Sequence, residues 1–176
     1  MNDILIIGTI AADTALNLIA TRKSDLRKTL SERYINESNQ RLMLINSINK
    51  EIFAQVDADY IQEVSDYGIF GGLWDYAEKR KTGIEIDLFC IPIDQATVEI
   101  CEIFDINPYT SLSRNVYIMS VKSGYDACKI LEKNGICATV VGKEIQSRDR
   151  VIISGDERRY LTPTDREAYF SDRFVQ

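Results

Sequence analysis

The chain has 176 residues, 45% of them apolar and 27% charged, enough for one domain with a substantial core and too hydrophobic for a disordered chain. A formal net charge of -6 argues against a general nucleic-acid binder, which needs a basic face for phosphate. No histidine is present, which excludes Ser-His-Asp and Cys-His catalysis, imidazole metal ligation and imidazole acid-base chemistry together.

The first ten residues are apolar but lack a basic flank, so they do not read as a secretory signal. No apolar run approaches the roughly 20 residues that span a bilayer. The expected location is the cytoplasm, with no membrane or nucleic-acid partner. The cysteines at 90, 101, 128 and 137 lack the close spacing of zinc knuckles or redox dithiols, and are expected as reduced, buried small hydrophobes.

In chain order, 3–10 reads as a strand buried on both faces and 12–20 as a helix capped by Asp13 or Thr14. Helices are predicted over 24–34, with Ser24 as cap, and over 36–48. A strand follows at 59–64, then an amphipathic helix over 68–81 with Ile69, Phe70, Leu73, Trp74 and Ala77 in one stripe. Its basic end, Lys79, Arg80 and Lys81, complements the helix dipole, and Gly83 is its expected stop. A strand lies within 83–93, and a short helix over 94–104 is capped by Asp94. After an Asn107-Pro108 turn come a strand at 115–121, a helix at 123–134 ended by Gly135, and a strand at 137–141. Residues 150–154 and 158–161 flank Gly155-Asp156 as a hairpin. The predicted fold class is α/β (α+β), a single domain over 1–176 with a mixed sheet layered by helices and a polar surface tail from about 166.

Three segments are candidates for ligand. The turn Gly8-Thr9-Ile10-Ala11-Ala12-Asp13-Thr14 aims backbone N–H groups at an anion, or is simply a capped helix start. It matches neither a Walker loop nor a dinucleotide fingerprint. Glu63, Ser65 and Asp66, followed by Gly68, place oxygen-bearing groups at a strand end, for Mg²⁺, for phosphate, or for helix capping. Gly71 and Gly72 then permit close packing. The polar loop 108–115 carries Arg114, which either meets an anion or is solvated.

Together these segments resemble the carboxy-terminal domain of the AIR synthase-related superfamily (PurM-like), closest to its hydrogenase maturation factor (HypE-like) branch. The residues that carry the likeness are Ile7 to Thr14, Glu63 to Gly68, Ile91-Pro92-Ile93, Thr97 to Tyr109, Val140-Val141-Gly142 and Arg150 to Leu161. It covers about residues 3 to 165. The resemblance implies ATP-dependent activation of an amide or carbonyl oxygen, with the nucleotide held mainly by an amino-terminal domain that also forms the family dimer.

This chain is expected to lack that domain. It also departs from the family in both ligand-facing loops. The Asp-His-Gly of the first matches Ala12, Asp13 and Thr14. The Asp, Thr and first Gly of the second match Glu63, Ser65 and Tyr67, which puts a large ring where close approach or a positive φ was allowed. The branch also needs a cysteine near its carboxy terminus, and the closing residues Asp172 to Gln176 hold none, so that chemistry is not expected. The resemblance therefore implies a free-standing, degenerate domain acting as a binding, regulatory or assembly module, in a homodimer or with a partner protein. The alternative is one half of an ATP-dependent enzyme completed by a separate chain. In that case Gly8, Thr9, Asp13, Glu63, Ser65, Asp66 and Gly68 face the ligand, without a catalytic residue or metal ligand of their own. No cofactor is expected for the chain alone, and Mg-ATP only if a partner supplies the missing domain.

Overall fold

A computed structural model describes residues 1–64 and 66–162. Ser65 and the expected tail lie outside the described residues. The strands are β1 (Asp3–Ile7), β2 (Ala58–Glu63), β3 (Gly83–Asp87), β4 (Tyr117–Val121), β5 (Ala138–Ile145), β6 (Arg150–Ser154) and β7 (Glu157–Tyr160). The helices are α1 (Ala12–Thr21), α2 (Lys23–Leu26), α3 (Glu32–Ile45), α4 (Gly68–Arg80), α5 (Gln95–Ile103) and α6 (Gly124–Lys133). The strands form one sheet in the order β2-β4-β1-β5-β3-β6-β7. β3 and β6 are parallel and every other pair is antiparallel, so the sheet is mixed, as the alternation of elements predicts.

β1 is central, and its run Ile4-Leu5-Ile6-Ile7 is fully buried because both faces of the sheet are covered there. Ile4 and Ile6 pack with Ile118, Ile84 and Ile86 beneath Ile69, Phe70, Leu73 and Tyr76 of α4. Leu5 and Ile7 point the other way, to Met119, Phe53 and the α6 residues Ala127 and Leu131. Each such side chain contributes about 1.5–3 kcal/mol of burial. A third cluster, with Ala15, Leu18, Ile35, Leu42 and Ile100, joins α1, α3 and α5 and contains no strand residue. It is a helical layer attached to the sheet through the loops.

Several boundaries differ from expectation. The helix predicted over 24–34 is broken: α2 ends at Leu26, and α3 starts afresh where the Ser31 hydroxyl accepts the Tyr34 N–H at 3.2 Å. The stretch 36–48 is the rest of α3, which stops at Ile45. α4 is closed by Lys81 in the left-handed conformation (φ 55°), and Gly83 instead opens β3. β3 ends early because the Asp87 carboxylate accepts the Phe89 N–H and turns the chain into a 3-10 turn at Leu88–Cys90. Neither Asp13 nor Thr14 caps α1; the cap position is Ala11, and no side chain caps it. Of the four free cysteines only Cys101 is buried, with its thiol pushed up to about 11 by burial. Cys90 and Cys128 are half-buried, Cys128 within α6, and Cys137 is exposed in the α6–β5 connection.

Asp94 caps α5 as predicted, accepting the Ala96 N–H at 2.9 Å, and also holds Arg41 of α3 through two oxygens at 2.9 and 3.1 Å. Burial pushes its pKa up, but the Arg41 guanidinium and the helix N–H groups outweigh this and hold it below the usual carboxylate range. A depressed folded pKa gives stability that is present above the unfolded value and lost as pH falls through the folded one. The native chain is therefore expected to lose more stability than Asp94→Asn between pH 6 and the low end of the carboxylate range. Urea unfolding at a series of pH values checks this; parallel profiles would contradict it.

Candidate functional site

β4 runs antiparallel to both β1 and β2, and Tyr117 pairs with Ile7 on one side and Glu63 on the other. The end of β1, the end of β2 and the entry to β4 therefore meet at one end of the sheet. This register brings all three sequence-predicted loops together.

In the first loop the backbone N–H groups are already used. Gly8 donates to the Cys137 carbonyl at 3.0 Å and Ile10 to the Pro92 carbonyl at 3.0 Å. Thr9 donates to Asn46 Oδ1 at 2.8 Å and Ala11 to Ser113 Oγ at 2.8 Å. Asn46 also returns a bond from Nδ2 to the Thr9 carbonyl at 2.9 Å, so its amide sits on the loop as a peptide group would. Gly8 is required there: its φ is 89°, and a Cβ would stand 2.8 Å from Asn46 Oδ1.

The carboxylates act as backbone clamps. Asp13 Oδ2 accepts the Arg114 N–H at 2.8 Å, and Glu63 Oε1 accepts the Asn115 N–H at 3.0 Å. Glu63 also lies 3.5 Å from Lys50, whose ammonium sits 5.1 Å from the centre of the Tyr117 ring. Asp66 is exposed and Ser65 lies outside the described residues. Among the described residues, no group of three or more Cys, Asp or Glu is gathered as a metal site, so Glu63 and Asp66 are not brought into one.

Tyr67 does not occupy a left-handed position; its φ is -88°. The close approach falls on Gly68, with φ 67°, packed on the backbone of Tyr109, Thr110 and Ser111. Of the left-handed residues described, Gly8, Ala11, Gly68 and Asn115 lie in these loops. Lys81 and Gly135 close helices and Gly155 makes a hairpin turn. Asp105, with φ 53°, follows the end of α5, so among the described non-glycine residues Ala11 and Asn115 are the left-handed ones that do not follow a helix end, and both lie at the site.

An open cleft of about 500 Å³ lies beside the clamps, between the start of α1, the end of α3 and residues 114–115. Leu16, Leu42, Met43 and Ile48 give it an apolar wall, and Asp13, Asn46 and Arg114 a polar one. Among the described residues the Arg114 guanidinium has no hydrogen bond or ion pair. Ser113 and Asn115 lie in the candidate loop 108–115 without a signal of their own roles, and Asn46 lies outside all three candidate segments. The one signal for Asn46 is its place at the end of a helical pattern, where Asn is a common terminator. Replacing Asn46 by alanine is expected to cost about 2 kcal/mol, because the Thr9 N–H and C=O both lose a partner in a part-buried loop. A shift in urea midpoint with an unchanged slope would show it; no shift would mean water substitutes freely.

The model of the family "AIR synthase related protein, C-terminal domain" matches residues 3–154. No curated protein matches the chain at a significant level. Among solved structures it is similar to HypE of E. coli, a hydrogenase maturation protein (TM-score 0.68, 16% identity), covering 92% of this chain and 49% of that one. A HypE structure in complex with ATP gives a TM-score of 0.64 at 14% identity, covering 92% and 50%. Thiamine-monophosphate kinase from Stenotrophomonas maltophilia K279a gives 0.62 at 14%, covering 89% and 50%. The chain thus spans about half the length of these proteins. With a match over most of its length, and the mixed sheet with helices of that fold, the chain belongs to the AIR synthase-related family and represents its C-terminal domain.

Proposed function

We propose that this chain is a degenerate form of the family's C-terminal domain that works as a binding, regulatory or assembly module and does not complete a phosphoryl-transfer site alone. The observation that supports this is the occupation of the first loop. The N–H groups of residues 8 to 11, which could otherwise cradle a phosphate, are each bonded to an acceptor of the chain itself. Two of the candidate carboxylates, Asp13 and Glu63, hold backbone instead of facing a ligand with both oxygens free.

The exposed apolar side chains Met43 and Leu44, 65% and 72% accessible at the end of α3, support association with a second copy or another protein. A relative is described as a HypE-HypF complex, which is consistent with assembly roles in the family. No helix among the described residues is long and apolar enough to cross a membrane.

A second reading, one half of an ATP-dependent enzyme, draws on the exposure of Glu63 and Asp66 at the same sheet end. Mg-ATP titration of the purified chain, with its mass in solution measured on the same sample, separates the two. A monomer that binds nucleotide tightly would sink the module.

A further inference from the structure

The cleft beside the loops combines two features that its neighbours do not need. Its carboxylate and guanidinium belong to residues in direct contact, since the Arg114 N–H donates to Asp13, yet the two side-chain charges do not pair within 4.0 Å. Asp13 uses only one oxygen in that bond, which leaves the other for a donor. Arg114, exposed and unpartnered among the described residues, offers a planar set of donors suited to a carboxylate. The same cleft is also lined by the apolar residues Leu16, Leu42, Met43 and Ile48. Met43 is 65% accessible, a large apolar side chain that nothing among the described residues covers. The volume of about 500 Å³ falls within the span of small-molecule sites.

We infer that this cleft holds a small zwitterion with an apolar side chain, a free α-amino acid of the leucine or methionine kind. Its carboxylate meets Arg114, its ammonium meets the free oxygen of Asp13, and its side chain lies on Met43 and Leu16. A simple anion is the poorer occupant, because Asp13 repels it, and a simple amine is repelled by Arg114. The adjacent opposite charges select a ligand that carries both. The inference rests on the binding-module reading and names the ligand of the same site.

Calorimetric titration of the native chain with L-leucine and L-methionine tests it, alongside leucine methyl ester and N-acetyl-leucine, which each remove one charge. The expected result is a dissociation constant below about 1 mM for the free amino acids and at least about tenfold weaker binding of both blocked forms. Arg114→Gln and Asp13→Asn are each expected to weaken leucine binding by a similar factor. Both leave the Arg114 N–H bond in place, since the asparagine oxygen still accepts it, and circular dichroism checks the fold. Arg148→Gln, away from the cleft, is expected to leave binding unchanged. No binding of either amino acid at millimolar concentration would overturn the inference, as would equal binding of the blocked forms or indifference to Arg114→Gln. Failure here with no Mg-ATP binding removes the ligand alone; Mg-ATP binding removes the module reading itself.

Discussion

Gly68→Ala is expected to destabilise the chain by more than about 4 kcal/mol, and to leave little folded protein at 37 °C. Two costs add. The backbone there has φ 67°, where alanine is disfavoured by about 1–2 kcal/mol. The new Cβ would also lie 2.6 Å from the Thr110 carbonyl carbon, 2.7 Å from the Ser111 nitrogen and 2.7 Å from the Tyr109 oxygen. These are backbone atoms of a 3-10 turn, Pro108–Thr110, tied down by the Asn107 side chain through the Tyr109 N–H, so they cannot swing aside as a side-chain tip would. Gly135→Ala is the internal control. Its φ is 71°, but nothing stands within 4 Å, so only the conformational cost of about 1 kcal/mol remains. Denaturant midpoints of the two variants measured together decide the matter. Equal losses would mean that the packing of α4 on residues 109–111 is looser than the structure has it.

Glu144→Ala is expected to cost about 3 kcal/mol, on the order of 10 °C in melting temperature for a chain of this size. One carboxylate oxygen receives the Tyr76 hydroxyl at 2.6 Å, the Arg80 Nε at 3.0 Å and the Ser120 hydroxyl at 3.4 Å. Tyr76 is fully buried and Glu144 is 8% exposed, so the alanine variant leaves a buried hydroxyl and a partly buried cation without an acceptor. Burial and the neighbouring carboxylate push the Tyr76 hydroxyl well above the usual phenol range, so it stays a donor throughout the working pH range. Glu144→Gln keeps an acceptor in place and is expected to lose about 1 kcal/mol. A glutamine variant as unstable as the alanine one would show that charge, not acceptance, holds the network.

The contrast between these two sites explains what the sequence made legible. Strand β1 is a continuous apolar run and α4 carries an apolar stripe, so the burial of Ile69, Phe70, Leu73 and Ala77 could be read from hydrophobic period, while Trp74 of that stripe is half-buried and Tyr76, outside it, is fully buried. The family likeness rests on Glu63 to Gly68 and on the order of elements, both local in the chain, and the fold follows it. Glu144 is a polar residue in a strand, and nothing local marks it as buried; only the meeting of α4, β4 and β5 supplies its partners. Asn46 is likewise a helix terminator by pattern, yet its amide acts 37 residues away on Thr9. The break between α2 and α3 was hidden because Leu26, Leu30 and Tyr34 keep a helical spacing across it. Tyr67 shows the converse error. The aligned position suggested strain at the ring, while the backbone moved the left-handed turn one residue on, to Gly68. The three loops themselves were identifiable as polar, glycine-bearing segments at element ends. Their closure upon one another was not, because each clamp joins residues tens to a hundred positions apart, as Asp13 and Arg114 do.

The central claim is that the N–H groups of residues 8 to 11, and one oxygen each of Asp13 and Glu63, are committed within the chain. Calorimetric titration of the purified, unmodified chain with Mg-ATP tests it most directly, with light scattering on the same sample. The account predicts no heat of binding up to millimolar nucleotide. Saturable binding with a micromolar dissociation constant, lost on replacing Glu63 and Asp66 together by Gln and Asn, would contradict it and establish the chain as the working half of a phosphoryl-transfer site.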